Sequence, residues 1–390
     1  MRGRLERRRP RSRGPVGAVV LAAALAFAAG ASRAAGPPDL PAEGVVAVLP
    51  PENLGGSPAP LAEIRGAFRV ALEERSIRVL DEATLDSFLA SRRLRHTGGL
   101  SAEAAKALLE ETGAGFALIT SVDLHEDSPH PKVAMTSRLV SAGREAEIVW
   151  MDSVDAVAAE SPGLLGMHRA GDAGVLRERV IVELADGVAA RFREPTGASG
   201  KVGEGAPRAA RRFRPRTFHR SPGPAPGEGR IRVAVMPFRN DSGRADAGNL
   251  VALQFVRRLA AWPGVEVVEP GVVREVLLRA RLIQAEGISL PQADLVRELL
   301  DADVVVAGRV DEWRDAPGDG LVPSVSFSAR GIDTRTRRVV WASTTGCRGD
   351  RGVFFFGVGR KRTANALAAE IVLGVVERAL GERRGAPRSE

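Results

Sequence analysis

Displaced against itself by 188 positions, the sequence matches itself without a gap from Ile77–Asp123 onto Val265–Asp311, with eleven identities in 47 positions. The identities include Val79/Val267, Arg93/Arg281, Ser101/Ser289 and Asp123/Asp311. Two flanking blocks keep nearly the same offset. Val46–Pro50 falls on Val233–Pro237 at 187, and Val149–Trp150 on Val340–Trp341 at 191. A period this long predicts two tandem domains, because solenoid repeats run about 20–50 residues. Whatever one copy folds into, the other is expected to fold into as well.

Each copy opens on an apolar run, "VVAVLP" or "VAVMPF", that lacks strict alternation and so predicts a strand covered on both faces. A proline ends each run, because it has no N–H to give to a ladder. A helix follows, with a stripe at Leu61, Ile64, Phe68 and Leu72 in the first copy and at Leu250, Leu253, Val256 and Leu259 in the second. Then come a short strand ("IRVL", "VEVV") and two short helices, the later one started by Ser101 or Ser289 as N-cap. Three strands follow: "GFALITSVD" or "DVVVAGRVD", then a hairpin whose second turn is Asp333–Arg337. A helix closes each copy. The expected fold class is α/β (α+β): two similar domains, each a mixed sheet covered by helices, in the order β-α-β-α-α-β-β-β-α. The domains span 44–192 and 231–381.

The segments outside the copies differ in composition. Residues 1–14 carry a net +6 and residues 195–230 a further +6, so a chain of net +8 leaves −4 for the rest. The folded parts are therefore not basic, which argues against nucleic acid as a partner. Residues 193–230, rich in Gly, Pro and Arg, predict a disordered linker, and 382–390 a disordered tail. The linker is either a solvated spacer or an electrostatic contact to anionic envelope polymers or lipids. Residues 1–35 have the order of a Sec-type signal peptide: an Arg-rich start, an apolar run from Val16 to Ala31, then small residues. This predicts a periplasmic or secreted protein, with Ala31, Ala34 or Ala35 as candidate last residues of the leader. No Cys follows it, so no lipid anchor is expected there, and the lone Cys347 allows no internal disulfide.

The phrases "RVAVMPFRNDSG", "EVVEPGVVREVL", "LLDADVVVAGRV" and "GIDTRTRRVVWAS" resemble the TolB amino-terminal, CsgG-like and LpoB-like domains of the bacterial envelope. Copy one is a degenerate match, with Pro51 in place of Phe238 and Gly115 in place of Asp303. The resemblance implies binding and assembly modules without catalytic residues, and envelope proteins as partners. The hairpins are too short for a CsgG-type channel.

Candidate chemistry is sparse. "GVFFFGVGRKRT" opens the last helix: its glycines and Arg360 and Lys361 could meet an anion or a partner, but the spacing is not that of a nucleotide loop. Phe354, Phe355 and Phe356 cannot all point to one face: either two are buried against the sheet, or one is exposed as a partner or lipid contact. These five residues are the candidate partner-binding positions. His125 to His130 fits a hairpin loop better than a metal site, and Asp123 and Asp311 are expected to end their strands. No catalytic, metal or cofactor site is expected. The function expected is a non-catalytic periplasmic scaffold or regulator of cell-envelope assembly, with self-association open. The alternative is an enzyme or binder of an anionic small molecule at the Gly-rich start of the last helix.

Overall fold

Val46, Ala47 and Val48 are all buried, the signature of a strand sandwiched on both faces. In the computed structural model they form β1 (Val46–Val48), within a description that covers residues 44–127, 130–143, 145–158, 172–193, 215–221, 230–281, 297–316, 322–350 and 361–380. The first module continues with β2 (Glu52–Asn53), α1 (Leu61–Glu73), α2 (Glu82–Ser91), α3 (Ala102–Thr112), β3 (Phe116–Glu126), β4 (Lys132–Ser141), β5 (Ile148–Val157) and α4 (Ala173–Arg193). The second has β6 (Thr217–Arg220), β7 (Ile231–Val235), β8 (Arg239–Asn240), α5 (Ala247–Ala260), β9 (Val265–Val267), α6 (Pro270–Arg279), β10 (Val304–Arg314), β11 (Ser324–Asp333), β12 (Val339–Arg348) and α7 (Ala364–Leu380).

Both sheets are mixed. The first runs β1-β3-β4-β5 and the second β6-β12-β11-β10-β7-β9, with β2 beside β3 and β8 beside β10. β1 and β7 pair parallel to β3 and β10 in the same register: Val46 faces Phe116, and Val233 faces Val304. α1 and α4 cover one face of the first sheet through Ile64, Phe68, Leu72, Leu176 and Val180. α2 and α3 cover the β1 end of the other face. In the second module α5 and α7 take the first role, around a cluster of Phe238, Phe255, Phe327 and Trp341 rings, and α6 takes the second. Caps follow the sequence closely. The Ser101 hydroxyl accepts from Ala104 N–H at the start of α3, and Gly113 ends that helix at φ 72°.

Three expectations change. "IRVL" makes only a single bridge, Val46 to Val79, while its counterpart is the strand β9. The strands through Asp123 and Asp311 do not end there; both run three residues further. Each Asp sits at a register slip, between Val122 and Leu124 or between Val310 and Glu312, so both are bulge residues rather than turn caps. Third, four residues of the segment expected to be disordered, Thr217–Arg220, form β6. They pair antiparallel with β12, from Thr217 opposite Thr344 to Arg220 opposite Trp341, because the outer edge of β12 offers free N–H and C=O groups to any nearby chain. The expected leader (1–35), linker residues 194–214 and 222–229, the tail and Ser289 lie outside the described residues. Among those described, no helix is long and apolar enough to cross a membrane.

Candidate interaction surface

The described residues belong to one compact unit, and its two modules meet through a sheet face laid on a helix pair. α5 is buried almost all round: Val251 and Phe255 face its own sheet, while Leu250, Leu253 and Gln254 are covered as well. A helix apolar on both sides needs two neighbours, and the second neighbour here is the first sheet. Met151 of β5 and Leu54 enter the core of the second module. Around them lies a polar layer. Gln254 Nε2 donates to Ser153 Oγ at 3.2 Å, Asn365 Nδ2 to the same oxygen at 3.1 Å, and Thr363 Oγ1 to Asp155 at 2.8 Å. Arg257 pairs with Asp152 at 2.7 Å. Arg244 donates to the carbonyls of Leu54 (2.8 Å) and Asp123 (3.0 Å), and Lys132 donates to the carbonyl of Ala316.

At the far end of this contact Arg138 and Glu269 form an ion pair at 3.0 Å, with side chains 2% and 0% exposed. Arg138 also donates to Gly98 O at 2.7 Å, and Leu100 N–H donates to the same Glu269 oxygen at 3.0 Å. Glu269 is the N-cap of α6, yet makes no cap hydrogen bond. Its counterpart Asp81 caps α2 through Thr84 N–H. The second module has turned a local cap into a bond between modules. The backbones touch at this point, since a Cβ on Gly271 would lie 2.2 Å from Leu100 N.

Two carboxylates in the contact titrate far from their ordinary value of 3.8. Burial pushes Asp123 up to about 7, against the pull of hydroxyl donors Ser121 (2.6 Å) and Thr136 (2.5 Å). Loss of hydration pushes Asp155 up to about 6. These two buried groups face Arg244, in the loop before α5, and Arg257 of α5.

Among the described residues, no helix covers the corresponding face of the second sheet. The two sheets share a register: Thr136 faces Ser121 and Ser153 as Ser328 faces Arg309 and Thr344, and Arg138 faces Met151 as Arg330 faces Ala342. Where the first sheet is buried against α5 and α7, the second forms a shallow groove of about 460 Å3 lined by Arg239, Arg309, Arg330, Ser328, Thr344 and His219 among others. Arg239 pairs with Asp241 at 2.9 Å and Arg309 with Asp311 at 2.7 Å beside it. Arg138 is buried, whereas Arg330 is exposed.

This surface was not among the positions singled out from sequence. Of those, Phe354, Phe355, Phe356 and Arg360 lie outside the described residues. Lys361 precedes α7, and its ammonium is paired with Glu370 of that helix. His125 is buried in β3, and no group of His, Cys, Asp or Glu that could hold a metal occurs among the described residues. The legible trace of the true contact was α5 itself, whose apolar residues run round both sides of the helix.

No protein-family model matches the sequence, and no curated protein does. Several solved structures are similar. The PelC dodecamer from Paraburkholderia phytofirmans is 21% identical, over 42% of this chain and 96% of that chain, with a TM-score of 0.29. Lipoprotein GNA1162 from Neisseria meningitidis is 16% identical over 37% and 99%, with a TM-score of 0.27. The LpoB C-terminal domain from Escherichia coli is 19% identical over 29% and 82%, with a TM-score of 0.24. A minor lipoprotein from Acinetobacter baumannii is also similar, 10% identical over 40% of this chain and 98% of that chain, with a TM-score of 0.20.

Proposed function

We propose that this chain is a non-catalytic, protein-binding component of the bacterial cell envelope, exported to the periplasm, where it scaffolds or regulates assembly. The signal-peptide order of residues 1–35 supports export. The likeness of its motifs to TolB amino-terminal, LpoB and CsgG domains supports the envelope and a role in binding. One observation carries the reading. The chain joins its own modules by laying a sheet face on a helix pair, and leaves the equivalent face of its second sheet open. The equivalent face of the first sheet rests on a helix pair, which supports a protein partner for the second.

A photo-cross-linking residue at Ser328, in the groove, tests this in cell-envelope fractions, with the same residue at exposed Leu278 of α6 as control. Discrete protein adducts are expected from Ser328 alone. Equal labelling from both positions, or none from Ser328, refutes the reading.

A further inference from the structure

We infer that the open face of the second sheet receives the α1/α4 face of a second copy of this chain, so that copies associate head to tail. The inference rests on the protein-binding reading above and names the partner. It starts from the contact already present within the chain. The first sheet sits on α5 and α7, and the counterparts of those helices are α1 and α4. Ile64, Phe68 and Leu72 face the first sheet as Val251, Phe255 and Leu259 face the second. Leu176, Val180 and Leu184 of α4 match Leu367, Ile371 and Val375 of α7. The outer side of α1 and α4 lies where α5 and α7 meet the first sheet, and it is exposed: Val70, in the place of Arg257, is 55% exposed.

The charges at the contact positions of the two open faces differ from those of the buried contact, although Asp311 stands where Asp123 does and pairs with Arg309 at 2.7 Å. The first sheet brings Asp123, Asp152 and Asp155 to the arginines at 244 and 257. The second sheet has Gly346 in register with Asp155 and Arg309 in register with Ser121. On the helix side, Ser57 and Val70 replace the two arginines, and Glu63 and Glu178 are exposed, Glu63 paired with Arg177. Where Arg138 meets Glu269 inside the chain, Arg330 would meet Asp81 of the next copy, because Asp81 starts α2 as Glu269 starts α6. A contact between the sheet face with Arg239, Arg309 and Arg330 and the helix face with Ser57 and Val70 joins two different surfaces. Such an interface is heterologous: it either closes into a ring or extends as a filament. Its polar make-up makes association salt-dependent, since screening shortens from about 10 Å at 0.1 M to about 3 Å at 1 M ionic strength.

Sedimentation of the full mature chain at low salt tests the inference. Wild type is expected to form species larger than one chain that dissociate in about 1 M NaCl. Arg330→Glu on the sheet face and Val70→Arg on the helix face should each give monomers with an unchanged circular dichroism spectrum; Thr344→Arg serves as a second sheet-face variant. A mixture of Arg330→Glu and Val70→Arg chains retains one intact face of each kind. It should form a species of two chains and nothing larger. A monomeric wild type at low salt overturns the inference, and so does a mixture that stays monomeric. If wild type is monomeric while Ser328 still cross-links to a different envelope protein, the inference falls and the protein-binding reading stands. A cross-link from Ser328 to residues 195–214 of its own chain overturns both.

Discussion

Removing one partner of the Arg138–Glu269 pair should unfasten the two modules at a cost that can be worked out from the contact. In Arg138→Met the Glu269 carboxylate stays at 0% exposure with Leu100 N–H as its one remaining donor. An uncompensated buried charge of this kind costs about 3–5 kcal/mol. Glu269→Gln leaves the Arg138 guanidinium buried without a counter-charge, facing only the neutral acceptors Gly98 O and the Gln amide oxygen, at a similar cost. The double variant Arg138→Met/Glu269→Gln removes both charges and keeps an acceptor for Leu100 N–H. Its cost is then one weakened backbone partner, Gly98 O, roughly 1–3 kcal/mol. The double variant should therefore be more stable than either single one, with a coupling energy of several kcal/mol. Urea unfolding followed by far-UV circular dichroism gives all four corners of the cycle. The reasoning fails if either single variant costs less than about 1 kcal/mol, or if the double variant loses the sum of the two.

Other outcomes follow from the same contact. The Asp123 carboxyl holds its proton up to about pH 7 in the folded chain, whereas an ordinary Asp loses it near 3.8, so the folded state binds more protons in this window and stability falls as pH rises from about 4 to 7. Above the window the penalty is roughly 4 kcal/mol. Asp123→Asn should flatten this slope and raise the melting temperature at pH 8 but not at pH 4; parallel curves for the two proteins would contradict the assignment. Gly271→Ala forces a Cβ to within 2.2 Å of Leu100 N, so the backbones must part, and it should cost more than the ~1 kcal/mol gain that Ala brings to a helix; urea melts decide. Arg257→Ala leaves the half-exposed Asp152 able to reach water and should cost less than Arg138→Met by at least about 1 kcal/mol, on the same melts. Deleting 195–214, which spares the strand Thr217–Arg220, should lower envelope co-sedimentation at low salt and not at high salt if the basic segment contacts anionic polymer or lipid.

Local chemistry made much of the architecture legible. The repeat offset is a property of the chain alone, and the helical stripes through Phe68 and Val256 and the Ser101 cap depend on neighbours three or four positions away, so they stand in the sequence itself. The duplicated Asp was visible too, but not its setting, because a bulge depends on the strand alongside. Nor could spacing reveal that Thr217–Arg220 would find an open edge, or that Glu269 would leave its own helix uncapped to reach Arg138 across 131 positions. The sequence by itself determined two helix-covered sheets of one design, because hydrophobic period and capping are short-range rules. Only the tertiary structure decided which sheet face is buried against a helix pair and which is left open. That choice rests on pairings between residues more than a hundred positions apart, such as Ser153 with Gln254 and Asp155 with Thr363, which leave no periodic mark along the chain.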